Sequence, residues 1–306
     1  MNAEASRKSA SAGSGITLAL IAFSGFPIGD AIVKSMALDW PAAAVAALRF
    51  TIGAIALALI LAIREGRQGF RIRRPWLHAA RGLALATGTI TFFSAIYVMP
   101  LAEAVAIAFV NPIITALLSG WFLKEKMRPA TWVATFIAFG GVLIMLRPNI
   151  AEFGWVAVLP LISACAMAAM LILNRMVSSQ RSITAAQFYL SFWTALFLIG
   201  AAAAGHALVP AMTVSGLPSF EVILKCALIA FTATCCHFLL FMATMRTSAA
   251  SVAPLVYIQL IISGAISVYI FDDPLDSIAI VGAMLILASG LLLWRSERKA
   301  ETVLEA

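Results

Sequence analysis

Arg49 stands within an apolar run, AAAVAALRFTIGAIALALILA, which offers its guanidinium neither water nor a carboxylate close by in sequence. In hydrocarbon such a charge costs roughly 2.5–3.5 kcal/mol on insertion scales and is tolerated where it faces a cavity or a partner. Counted from Pro41 at about 1.5 Å per residue, it lies about 12 Å into its helix, deeper than its own side chain can carry the charge back to the interface. Two roles stay open for it: pairing with a carboxylate or backbone carbonyls, and direct contact with a substrate.

Other polar groups interrupt the apolar runs. Asp30 and Lys34 are four apart, a spacing at which opposite charges on a helix neutralise one another. Gly25, Pro27 and Gly29 precede them. A proline frees a carbonyl and kinks a helix, so Asp30 alone can instead be presented to a cavity and couple movement to protons. Gly25 and Gly29 also have the spacing of a close helix contact. Glu103 begins a later run, where a carboxylate complements the helix dipole. Its second reading is a proton-titratable gate, hydrogen-bonded by Tyr97 across the turn at Pro100.

Asn111-Pro112 falls about ten residues into that run, near the bilayer midplane by helix rise. Proline at that depth opens the helix, and an amide both donates and accepts, so Asn111, Tyr257 and Gln259 are candidates for hydrogen-bonding a substrate. Trp193, beside Phe192, is either lipid-facing packing or a stacking surface for a planar or cationic group. His78, Arg81, Asn174 and Gln187 fall toward helix ends and read as interfacial. Cys235-Cys236-His237 reads as packing rather than a soft-metal site, since adjacent helical residues point about 100° apart. Neither metal nor cofactor is expected.

These residues need helices in lipid to position them. Hydrophobic residues are 62% and charged residues 11% of the 306-residue chain, against about 45–50% and about 25% in a soluble domain. A span needs roughly 20 apolar residues. Ten such stretches are read at 16–36, 42–63, 77–99, 101–123, 131–147, 154–177, 185–206, 221–245, 249–271 and 277–294. Their continuity excludes barrel strands, which alternate. The tails 1–15 and 295–306 are short. Arg7 and Lys8 precede the first stretch as in a signal peptide, but it runs past Pro27 to Met36 without a cleavage site and reads as retained. The four cysteines lie within the stretches, which excludes a disulfide framework.

The net charge of +7 is dispersed among connections rather than gathered on a nucleic-acid face. Arg7 and Lys8, Arg64, Arg67, Arg71, Arg73 and Arg74, Lys124, Lys126 and Arg128, Arg175 and Arg181, Arg246, and Arg295, Arg298 and Lys299 fall in alternate connections. Only Lys34, Arg147 and Lys225 fall in the others. That asymmetry places both termini in the cytoplasm, of a bacterial inner membrane by expectation.

The chain also repeats itself. An offset of 147 carries Ala102 to Ala249, Ala104 to Ser251, Asn111 to Ile258, Pro112 to Gln259 and Glu125 to Asp272. Each half, 16–148 and 149–294, holds five stretches, so the second enters the membrane upside down relative to the first. The expected fold is an all-α membrane protein of ten transmembrane helices in two inverted five-helix repeats, a transporter arrangement with the substrate site where the halves meet.

The segments Leu48-Arg49-Phe50, Ala102 through Pro112 to Glu125, Gly140-Gly141 to Arg147-Pro148, and Phe271-Asp272-Asp273-Pro274-Leu275-Asp276 resemble the drug/metabolite transporter superfamily, in its ten-helix branch of two EamA-type domains. Gln259 in place of a proline and Asp272 in place of a glutamate depart from the pattern. The resemblance implies a carrier moving amino acids, nucleoside-like cofactors, vitamins or drugs in either direction. The region from Tyr257-x-Gln259 to Asp273-Pro274 resembles uptake members for adenosylmethionine-like or flavin-like compounds; export of amino acids or drugs is the rival reading. No GxxxxGK[ST], HExxH or GxSxG is present, so neither direct ATP drive nor an intramembrane hydrolase is supported. A channel or sensor is the remaining alternative. The partners expected are a small-molecule substrate and the lipid bilayer, with the chain either monomeric or a homodimer.

Overall fold

The computed structural model describes residues 2–72, 74–122, 129–177, 182–208, 216–246, 253–274 and 276–304. Arg73, Lys124, Glu125, Lys126, Arg128, Arg181 and the repeat segment from Ala249 to Ser251 lie outside these. Among the described residues every element is helical: α1 (Asn2–Lys34), α2 (Ala42–Gly69), α3 (Pro75–Ile96), α4 (Leu101–Ala108), α5 (Asn111–Phe122), α6 (Pro129–Phe153), α7 (Leu159–Val177), α8 (Ile183–Leu208), α9 (Phe220–Arg246), α10 (Ile258–Ile270) and α11 (Ser277–Leu304). Six described helices are long and apolar enough to span a bilayer, and four shorter apolar helices accompany them. This is an integral membrane protein.

The helices depart from the expected stretches where backbone chemistry requires it. The stretch 101–123 is two helices, α4 and α5, separated at Phe109 and Val110. Pro112, second in α5, has no N–H for the carbonyl of Ala108, and its ring crowds that carbonyl. The stretch 249–271 likewise has a 3-10 turn, Ala253–Tyr257, ahead of α10. The sixth helix runs beyond the expected end at 147 to Phe153, and the chain turns instead at Gly154, whose φ of 65° suits a residue without Cβ. Helix also continues into both tails.

Packing joins early helices to late ones: α1 with α9, α2 with α8, α3 with α7, α4 with α10 and α6 with α11. In lipid no hydrophobic force separates helix from solvent, so close approach at small residues does the work. Gly25 meets Cys236 and Gly29 meets Thr232 at the α1–α9 crossing, Gly82 meets the backbone of Trp193 and Thr194, and Gly88 meets Met167. The expected close contact through Gly25 and Gly29 is thus made with α9. By contrast α1 and α2, consecutive in sequence, hardly touch; both lie on α9.

Polar contacts tie the ends. At one end Lys34 Nζ donates to the Met99 carbonyl at 3.0 Å and pairs with Asp273 at 2.5 Å. There too Tyr97 donates to the Trp40 carbonyl at 3.1 Å, and Lys225 lies 3.7 Å from Asp39. At the other end Ser182 bonds Glu65 and Tyr189 donates to the Phe70 carbonyl at 2.5 Å. Near this second end the residues expected at the interface are enclosed: His78 is 0% and Arg81 5% exposed. Arg81 Nε donates to Asn174 Oδ1 at 2.6 Å, its other arm lies 3.3 Å from His78 Nδ1, and Asn174 reaches the Met170 sulfur. The helix ends of α3, α7 and α8 converge around one cation, whereas Gln187 alone of that expected group is exposed.

Two outcomes follow. A Cβ at Gly141 would lie 2.8 Å from the Gly282 carbonyl, while Gly140 faces open space; Gly141→Val should cost about 1–3 kcal/mol, read as a lower melting temperature in detergent, with Gly140→Val unchanged. Asn174→Leu removes the acceptor from the enclosed Arg81 and should cost about 1.5–3 kcal/mol in the same measurement.

Candidate functional site

Asp30 on α1 and Arg49 on α2 carry opposite charges on two helices that hardly touch, each ringed by protein and each only half-buried. They act on one another electrostatically. They do not meet as an ion pair: the pairs among the described residues are Lys34–Asp273, Lys225–Asp39 and Lys225–Glu221. The Arg49 guanidinium lies over the rings of Phe50, 4.5 Å from its centroid, and Phe93, at 5.3 Å. Its ring-facing contacts leave the N–H edge for a polar partner.

Neither head group hydrogen-bonds to a described residue. Yet among the described residues no side-chain polar atom is both shut off from solvent and unpaired. The Asp30 carboxylate and Arg49 guanidinium therefore keep some accessible surface. His237, on α9, joins them: its side chain is exposed although protein surrounds it, it feels the Arg49 charge, and its ring meets Phe26 edge-on at 5.1 Å. The sequence alone reads His237 as packing. The usable signal was register, because Cys236 and Thr232 lie one turn apart and both face α1, which turns the residue after Cys236 out of the crossing.

A second convergence joins the two helix breaks. Phe109, at the end of α4, and Tyr257, ahead of α10, meet edge-on at 5.7 Å. Tyr257 is buried and occupies the space a side chain at Gly290 would need. Asn111 Nδ2 donates to the Ala164 carbonyl at 3.3 Å and its Oδ1 accepts from Thr115 at 3.1 Å, so its amide cross-links α5 to α7. Gln259 is half-buried and makes no hydrogen bond to a described residue.

Two expected contacts are replaced by others. Lys34 pairs with Asp273 instead of Asp30, because the turn after α10 brings a carboxylate and the Met99 carbonyl together at the end of α1. That leaves Asp30 to Arg49. The Tyr97 proton goes to the Trp40 carbonyl instead of Glu103. Glu103 is buried in the first turn of α4 and lines a recess of about 350 Å³ with Val98, Pro100, Glu152, Asp273 and Asp276. Trp193 lies on Gly82 of α3 and stacks on Phe197 at 6.1 Å, in the α3–α8 interface. Asp272 takes a left-handed φ of 53° in its turn, while Asp276 caps α11 by accepting from the Ala279 amide at 3.3 Å.

Known proteins are similar to this chain. Residues 13–147 match the EamA-like transporter family. The chain is similar to an S-adenosylmethionine uptake transporter of Rickettsia bellii (strain RML369-C), 29% identical over 84% of each protein. It is similar also to a riboflavin transporter of Rhizobium johnstonii, 28% identical over 87% of this chain and 85% of that one. A solved crystal structure shares the fold, with a TM-score of 0.60 at 22% identity over 96% of this chain and 99% of the other. By its helices and these relatives, the chain is similar to the EamA-like transporters of the drug/metabolite transporter superfamily, whose family model matches its first half.

Proposed function

We propose that this protein is a secondary transporter of a small organic metabolite, in which two inverted five-helix halves, 16–148 and 149–294, alternate access to the space between α1 and α2. The observation that carries this reading is the Asp30–Arg49 couple, two opposite charges deep in the protein that sense each other without forming an ion pair. Two further observations support the halves. Helices α5 and α10 begin at Asn111 and Ile258, positions related by the same offset of 147 as the sequence repeat. The helix pairings also survive an exchange of halves, which turns α1–α9 into α7–α3 and returns α2–α8, α4–α10 and α6–α11 to themselves.

In this reading the Lys34–Asp273 contact closes the external end, both termini are cytoplasmic in a bacterial inner membrane, and the site opens by rocking of the halves. Arg49 holds an anionic part of the substrate and Gln259 hydrogen-bonds near the helix breaks. Asn111, Tyr257 and Tyr97 shape the path, Trp193 supports it from the α3–α8 interface, and Asp30 or Glu103 couples movement to protons. Relatives named for S-adenosylmethionine and riboflavin favour an amino-acid derivative or a nucleoside-like or flavin-like compound.

Proteoliposomes loaded with S-adenosylmethionine or riboflavin test the reading. Saturable counterflow of one of them is expected, with Arg49→Gln lowering it at least tenfold; single-channel currents, or counterflow indifferent to Arg49→Gln, would overturn it. Uptake should rise with an inward proton gradient, and rates indifferent both to the gradient and to Asp30→Asn and Glu103→Gln would remove the proton coupling.

A further inference from the structure

We propose that the connection between α2 and α3 is a binding surface for anionic phospholipid head groups, with Arg64, Arg67, Arg71 and Arg74 as its cations and Ile63 and Trp76 as its apolar flanks. It involves none of the residues given a part in transport and holds whichever molecule is carried.

Within 64–74 every cation is an arginine and Glu65 is the single acid. Arg64, Arg67, Arg71 and Arg74 are exposed, and none of them makes a hydrogen bond or ion pair with a described residue. Glu65 turns instead to Ser182, which donates to its carboxylate. The backbone gathers the four cations. It leaves the helix at Gly66, whose φ is 59°, and folds back so that a Cβ at Gly69 would lie 2.8 Å from the Leu61 side chain. Tyr189 fixes the bend by donating to the Phe70 carbonyl at 2.5 Å, and Phe70 meets the Phe188 ring edge-on at 5.4 Å. Arg74 takes a left-handed φ of 57°, uncommon for a residue with a Cβ. Helix α3 starts directly after it at Pro75 without a side-chain cap, so the positive end of the helix dipole adds to the same patch. Charge that only orients a chain during insertion needs no fixed geometry, whereas this connection is pinned to α8 through both Ser182 and Tyr189.

The surroundings select the anion. Ile63 is 84% and Trp76 62% exposed, an aliphatic and an aromatic side chain of the kinds found where a spanning helix meets the head groups. Phosphates at that depth belong to lipids. A juxtamembrane cluster of basic residues is drawn to an anionic leaflet, and the planar fork of arginine meets two phosphate oxygens at once.

Fluorescence quenching of the full chain in phosphatidylcholine vesicles tests the proposal. A small fraction of phosphatidylglycerol or, separately, of phosphatidylcholine carries bromine near the head-group end of its chains, and the Trp76 signal is the difference between the native chain and Trp76→Phe. Brominated phosphatidylglycerol should quench Trp76 at about a tenfold lower mole fraction than brominated phosphatidylcholine. Arg67→Gln together with Arg71→Gln should remove most of that preference. Should the paired variant fail to insert, salt at about 1 M, where the screening length falls to about 3 Å, should weaken the preference in the native chain. Equal quenching by the two lipids, or a preference that neither the substitutions nor the salt reduces, would overturn the surface. Loss of the preference to excess glycerol phosphate would assign the cations to a soluble phosphate and overturn the lipid assignment.

Discussion

Two opposite charges inside a hydrocarbon slab are costly unless they are paired or solvated, and Asp30 and Arg49 sense each other without closing into an ion pair. That choice shapes the surrounding helices. Were α1 and α2 packed along each other, as consecutive antiparallel helices usually are, the gap would vanish and the pair would become an inert ion pair. Instead α9 carries both. Gly25 and Gly29 bring α1 hard against it, and Phe50 and Phe93 fix the guanidinium from the opposite wall. Replacing such a pair by apolar side chains is often neutral or stabilising in proteins, which is why the proposed function gives these charges a binding role.

The rest of the bundle separates tying from opening. Lys34 ties the ends of α1, α3 and α10 through one ammonium, with the Phe271 ring 5.0 Å beneath it. At the far end the enclosed Arg81 ties α3 to α7, and Tyr189 ties α8 to the end of α2. Between the two ends the helices break. The interrupted backbone at Phe109 and ahead of Tyr257 lies within protein, where neighbouring groups can satisfy it, the condition under which non-helical backbone is tolerated at membrane depth. A carrier needs ends that can be released and a middle that can bind, and the distribution of polar contacts follows that division.

Much of this was legible in sequence because hydrocarbon makes polar residues conspicuous. Arg49 announced itself by its isolation, and Pro112 marked the break between α4 and α5 through its missing N–H. The matching break before α10 has no proline at Gln259 and could be placed only through the repeat. What sequence could not show was partner choice over distance. Lys34 has a carboxylate one helical turn away, yet the one it uses is 239 residues on, and only the tertiary arrangement of three helix ends decides between them. The same holds for the Tyr97 proton, which crosses to Trp40 rather than to a residue in the adjacent turn. Arg81 looked interfacial because it lies near a helix start; a neutral acceptor, Asn174 on another helix, makes its enclosure possible.

The central claim is that the space between α1 and α2 is reached by water and occupied by the transported molecule. With the four native cysteines replaced by serine or alanine, His237→Cys should be modified by a membrane-impermeant thiol reagent in intact proteoliposomes or from the inside of inverted ones. Whichever of S-adenosylmethionine or riboflavin is transported should slow that reaction in a saturable way. Modification only by lipid-soluble reagents, at a rate no transported compound changes, would place His237 against acyl chains and contradict the account.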